Sequence, residues 1–138
     1  MAKSDITLHQ GRSSGRRHNF VLILESDRPI GALIAEWLEM AGYESMQVRD
    51  ATAAKVAPEC DVVLADVRAP LRSARETVES LMATVPHTPI IAMSADALAS
   101  GPSAADAVAR ELGVAAVLAK PFGREALMQA IERVRSRT

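Results

Sequence analysis

The feature that most restricts this chain is a series of short, almost wholly apolar runs separated by stretches of helical periodicity. FVLIL (20–24), DVVLAD (61–66), PIIAM (89–93) and VAAVLA (114–119) carry no alternating polar residues. A strand with one wet face alternates apolar and polar side chains. An uninterrupted run is what a strand covered on both faces requires. Between the first two runs, Ile30, Leu33, Ile34, Trp37, Leu38 and Ala41 recur at the spacing of one apolar helix face. That helix is entered through Asp27 and Pro29 and stopped by Gly42. ESMQVR (44–49) alternates as a further strand, and ATAAKVA (51–57) is a short helix ending before Pro58. Leu71–Thr84 reads as a helix with Val78, Leu81 and Met82 inward. AADAVAREL (104–112) is a helix closed by Gly113, and 124–135 is a helix burying Leu127, Ile131 and Val134. Five strands alternating with five helices predict an α/β domain, a doubly wound parallel sheet with helices on both faces.

The 138 residues suit one domain over 20–138, preceded by a Ser-, Gly- and Arg-rich tail over 1–19 without hydrophobic periodicity. Hydrophobic residues make up 49% and charged residues 24%, the balance of a soluble globular protein. A net charge of -1 gives no global field to attract nucleic acid or an anionic membrane. No apolar run is long enough to span a bilayer, and the N-terminus is polar where a signal peptide would be apolar. The single cysteine, Cys60, excludes an internal disulfide and a cysteine zinc site, and fits a reduced, cytoplasmic setting; it reads as an inert residue at the start of a strand. Four aromatic residues are few for stacking on bases. His9, His18 and His87 are scattered without metal-ligand spacing, and no glycine-rich phosphate loop is present.

In an open parallel sheet, ligands bind beyond the carboxyl ends of the strands, where the strand order reverses. The residues that follow the apolar runs are therefore the candidates: Glu25-Ser26-Asp27, Asp66, Ser94 and Lys120-Pro121. Each alone is ordinary, since Asp66 could cap a helix, Ser94 could sit in a turn and Lys120 could be a solvated charge. Together they are harder to dismiss. Clustered carboxylates repel one another unless a cation compensates. Carboxylates with a lysine and a hydroxyl are the parts needed to bind a divalent cation and a phosphoryl group.

These residues resemble the receiver domains of two-component response regulators. VLILESDRP is similar to the family's first strand with its acidic cluster, and DVVLADVRAP to its third strand with the acceptor aspartate. TPIIAMSA resembles the fourth strand with its hydroxyl residue, and VLAKPF the Lys-Pro-Phe ending. The resemblance runs from about Asn19 to Ser136 and implies a flavodoxin-like, CheY-like sheet of order 2-1-3-4-5. It implies Asp66 as acceptor of a phosphoryl group, Lys120 as its ion partner and Ser94 as the hydroxyl that binds phosphate and switches the domain. It also implies a magnesium ion held by Glu25, Asp66 and the backbone carbonyl of Arg68, with Ser26 or Asp27 as a further candidate, and a cis bond between Lys120 and Pro121.

The chain departs from the family's pattern at several points. Ser26 stands where an aspartate usually helps to hold magnesium, and a hydroxyl is a weaker ligand than a carboxylate for a hard cation. Val117 replaces the usual aromatic of the switch. The loop after Asp66 lacks the usual glycine, and ALASGPS lengthens the connection after Ser94. The expected function is that of a phosphoryl-accepting signalling switch, a stand-alone receiver and a monomer or weak dimer. It is not an enzyme acting on an outside substrate. Its expected partners are a histidine kinase or phosphotransfer protein and a downstream protein met through the fourth helix, fifth strand and fifth helix, roughly 104–135. A receiver-fold interaction module with weakened phosphorylation is the alternative. A phosphatase with an aspartyl nucleophile would need a carboxylate two residues after Asp66, where Arg68 stands.

Overall fold

The computed structural model describes residues 19–56, 59–95 and 102–137. All of the expected 1–19 tail except Asn19, and residues 96–101, lie outside the described residues. Five strands, β1 (Phe20–Leu24), β2 (Glu44–Val48), β3 (Val62–Asp66), β4 (Ile90–Ser94) and β5 (Ala116–Ala119), form one parallel sheet in the order β2-β1-β3-β4-β5. This is the expected doubly wound architecture. Among the described residues three α-helices lie between strands, α1 (Arg28–Met40), α2 (Leu71–Thr84) and α3 (Pro102–Leu112), and a fourth, α4 (Arg124–Ser136), follows β5. The remaining helical segment, Ala51–Val56, is a 3-10 helix. Its first turn is set by Asp50, whose carboxylate and carbonyl both accept from the Ala53 N–H, a tight closure that starts a 3-10 turn.

The apolar runs work as strands because each of their two faces meets a helix layer. Leu22, Leu24, Val63, Ala65 and Ala92 pack on one side with Ala54, Ala74, Val78, Leu81 and Leu112, contributed by the 3-10 helix, α2 and α3. Val21, Ile23, Val62, Leu64, Ile91 and Met93 pack on the other with Ile34 and Leu38 of α1 and Leu127, Ile131 and Val134 of α4. The period of two in a strand divides each run between these cores.

Two sequence expectations are corrected here. On α1 the buried stripe is Gly31, Ile34 and Leu38, while Ile30, Leu33 and Ala41 are exposed. A helix laid on a sheet touches it along one stripe of its surface, here the side facing β1 and β2, so its contact arc is narrower than its apolar arc. On α2 the buried residues are Ala74, Val78 and Leu81; Met82 is 39% exposed and lies sideways against Gly113 rather than inward.

At the amino end of the sheet, Asp61 accepts from the Phe20 N–H (2.8 Å), and Arg135 of α4 reaches Asn19, Tyr43 and Asp61. Truncating Leu64, fully buried on the central strand, to alanine is expected to cost about 2–5 kcal/mol. Met82→Ala, at a half-open surface, is expected to stay within about 0.5 kcal/mol. Chemical denaturation midpoints of the two variants check both values.

Candidate functional site

The strand order reverses between β1 and β3, which leave the sheet side by side. Their parallel register sets Leu24 opposite Ala65, so the next residues, Glu25 and Asp66, emerge as neighbours at the carboxyl rim. β4 and β5 pair Ser94 with Ala119, and the Lys120 N–H donates to the Ser94 carbonyl at 2.8 Å. Lys120 therefore starts beside Ser94 and reaches across β4. Its Nζ donates to Asp66 Oδ1 at 2.8 Å and to Glu25 Oε1 at 2.9 Å. The structure thus brings Glu25, Asp66, Ser94 and Lys120 to one rim. The Lys120–Pro121 bond is cis, as is Ala69–Pro70.

Glu25 is 2% exposed, a carboxylate that water cannot solvate. A buried charge is tolerated only when paired and hydrogen-bonded. Besides Lys120, it has the Asp27 N–H on Oε2 at 3.2 Å. Its backbone is held at both ends: its N–H donates to the Val48 carbonyl, and its carbonyl accepts from Gln47 Nε2 at 3.0 Å. The Gln47 amide crosses directly over Gly31, where any Cβ would collide with it. Burial pulls the Lys120 ammonium towards the neutral form, but its bonds to Asp66 and Glu25 outweigh this and raise its pKa above the ordinary lysine value. Cys60 is half-buried, and burial pushes its thiol up to about 11, which keeps it protonated and inert.

Beside Asp66 opens a cavity of about 720 Å³ between the 3-10 helix and α2. Asp66 shares its lining with Ser26, Arg49, Arg68, Ser73 and Thr77. The Arg68 guanidinium, 68% exposed, places Nε 3.4 Å from Asp66 Oδ2. Sequence reasoning assigned Arg68 a role only through its backbone. The signal for its side chain was its position two residues after Asp66, since alternate residues of an extended chain fall on one side. Gln47 was missed as well, although it is a polar residue inside an otherwise buried strand.

The donor set can be tested against a hard divalent cation, which takes oxygen ligands of high negative charge. Asp27 is exposed and serves as the N-cap of α1, its Oδ1 accepting from the Ile30 N–H at 3.1 Å. Ser26 is neutral and exposed. Both carboxylates that remain are already on Lys120. Among the described residues, no three acidic, histidine or cysteine side chains converge as metal ligands do. Two carboxylates already shared with Lys120, a neutral hydroxyl and the backbone carbonyl of Arg68 make a set that fits magnesium poorly.

A doubly wound domain that presents an aspartate in ion contact with a lysine at its switch point has the build of a signal-receiving module. The chain belongs to the response regulator receiver domain family, which it matches over residues 21–132. It is 29% identical over 122 residues to the transcriptional regulatory protein CpxR of Escherichia coli, an alignment covering 87% of this chain and 50% of that protein. The chain thus spans about half the length of the curated relatives it matches. Its fold is similar to a CheY-like receiver domain protein from Methanospirillum hungatei (TM-score 0.70, 19% identity, 88% of this chain and 96% of that one). Chemotaxis protein CheY4 of Vibrio cholerae is also similar (TM-score 0.68, 24% identity, 86% and 99%). Receivers are signalling modules of two-component systems, and acceptance of a phosphoryl group and magnesium binding are general to the family. No helix among the described residues is long and apolar enough to cross a membrane.

Lys120→Met leaves Glu25 and Asp66 without their shared cation and is expected to cost about 3 kcal/mol, measured by urea denaturation. Because the folded-state pKa of Lys120 is raised, its contribution is complete below the unfolded lysine value and fades as pH rises through the folded one. Wild-type stability should therefore fall more steeply than that of Lys120→Met above about pH 10.

Proposed function

We propose that Asp66 accepts a phosphoryl group from the phosphohistidine of a histidine kinase or phosphotransfer protein. The observation that carries this reading is the state of its carboxylate: Lys120 fixes Oδ1 at 2.8 Å, while the residue lines an open cavity. Oδ2, whose contact with Arg68 is long, attacks phosphorus; the P–N bond breaks and the imidazole leaves with the electron pair. Lys120 then has a phosphoryl oxygen within reach to balance the added charge. Ser94 is 2% exposed at the end of β4, and its backbone is tied to Lys120. In this reading its hydroxyl engages the phosphoryl group and draws its strand end inward.

The output surface in this proposal is the face of α3, β5 and α4, a downstream protein being the partner. Val117 is half-buried with Val108 and Val114 against the core under α3, so displacement of backbone and helix replaces an aromatic rotamer change. Residues 20–138 form the receiver in this reading, with 1–19 as a tail. A second reading, an interaction module with weakened phosphorylation, is favoured by one observation, the neutral Ser26 at the rim.

Incubation with acetyl phosphate and magnesium, followed by intact mass, separates the two. The wild type is expected to gain one phosphoryl mass, and Asp66→Asn none. A wild type that stays unmodified leaves the interaction module.

A further inference from the structure

We infer that Arg68, rather than a bound divalent cation, supplies the second positive charge at Asp66, so that phosphorylation of this receiver depends little on magnesium. The inference rests on Asp66 being the acceptor and concerns what neutralises it.

Most acidic oxygens of the rim are already engaged, and Asp66 Oδ2 has only the long 3.4 Å contact with Arg68. Glu25 Oε1 and Asp66 Oδ1 share the Lys120 ammonium, and Glu25 Oε2 takes the Asp27 N–H. Asp27 Oδ1 caps α1, and Asp66 Oδ2 faces the Arg68 guanidinium. Glu25 and Asp66 stand against Lys120 and Arg68, so these four groups are electrically balanced, while Asp27 is committed to the cap of α1. A divalent cation entering it would meet two resident positive charges, and Ser26 would offer it only a hydroxyl. Ion affinity at such sites follows ligand charge count, so magnesium binds more weakly here than it would with a carboxylate in place of the Ser26 hydroxyl.

Phosphorylation changes this balance. Replacing the carboxylate of Asp66 by an acyl phosphate adds negative charge on the cavity side, where Arg68 already contacts Asp66; the other charged residues of the lining, Arg49, Asp50 and Glu76, are of both signs. A guanidinium offers several N–H donors in a planar fork that matches phosphoryl oxygens, and it is charged at every physiological pH. Arg68 is largely exposed and can swing onto the new group without disturbing the core. With acetyl phosphate as donor, Asp66 Oδ2 attacks phosphorus, the P–O bond to the acetyl group breaks and acetate leaves. The charge that develops on the equatorial oxygens is then met by Lys120 from one side and Arg68 from the other.

The experiment compares wild type, Arg68→Gln and Ser26→Asp, each treated with acetyl phosphate in excess EDTA and in magnesium. Labelling is followed by intact mass, and magnesium binding to the unlabelled proteins by calorimetry. The wild type should label in EDTA at a rate within severalfold of that in magnesium. Arg68→Gln should lose about tenfold or more of the EDTA rate, as expected for one charge-assisted contact. Ser26→Asp should bind magnesium about tenfold or more tighter than wild type. Wild-type labelling that needs magnesium and is unchanged in Arg68→Gln overturns the inference while leaving Asp66 as acceptor. Tight calorimetric binding of magnesium by the wild type overturns it too. Absence of labelling in both buffers removes the acceptor reading and this inference together.

Discussion

The carboxyl rim of the sheet depends on one ammonium group. Lys120 leaves β5, passes over β4, and reaches carboxylates at the ends of β3 and β1. Without it, two like charges would sit side by side where adjacent strands end, one of them almost wholly removed from water. That arrangement is unstable unless a cation is fixed between them. The lysine therefore does two things with one contact: it makes the burial of Glu25 tolerable, and it holds Asp66 with one oxygen engaged while the residue borders an open cavity. The stability of the rim and the setting of Asp66 are not separable, because both depend on where Nζ lies.

The two ends of the sheet show how the same residue types reach different outcomes. At the amino end, Asp61 is satisfied by a backbone N–H and approached by Arg135, and these contacts join the last helix to the start of the first strand. At the carboxyl end, Asp66 meets a lysine, the neighbouring Arg68 at the longer distance of 3.4 Å, and open space. Composition does not separate the two aspartates. What differs is whether the chain continues into a paired strand or turns away from the sheet and leaves a cleft.

Much of this was legible in the chain itself. The unbroken runs around Leu22, Leu64 and Ile91 announced strands covered on both faces, and with them a parallel sheet whose ends carry the chemistry. Glu25, Asp66, Ser94 and Lys120 followed as strand-end residues and do converge at one rim. Other features depend on distances that no linear pattern carries. Whether Asp27 binds a cation or caps a helix is decided by the angle at which α1 leaves β1. The passage of Gln47 over Gly31 requires knowing how closely α1 approaches β2. The periodicity of Ile30, Leu33 and Met82 marks a helix but not the width of its contact, so their exposure appears only in three dimensions.

β3 is bracketed by its two aspartates, with only Val62, Val63, Leu64 and Ala65 between them. A strand buried on both faces has no alternating pattern to define its alignment with its neighbours, since sliding by one place exchanges one apolar side chain for another. Here a slide in either direction would draw a carboxylate into the hydrocarbon interior and separate it from the group that satisfies it, Lys120 at one end or the Phe20 N–H at the other. The charged residues thus act as end stops that give a featureless strand its alignment. The aspartate proposed as phosphoryl acceptor is at the same time a ruler mark for assembling the sheet, and a change there is felt in how the chain finds its register.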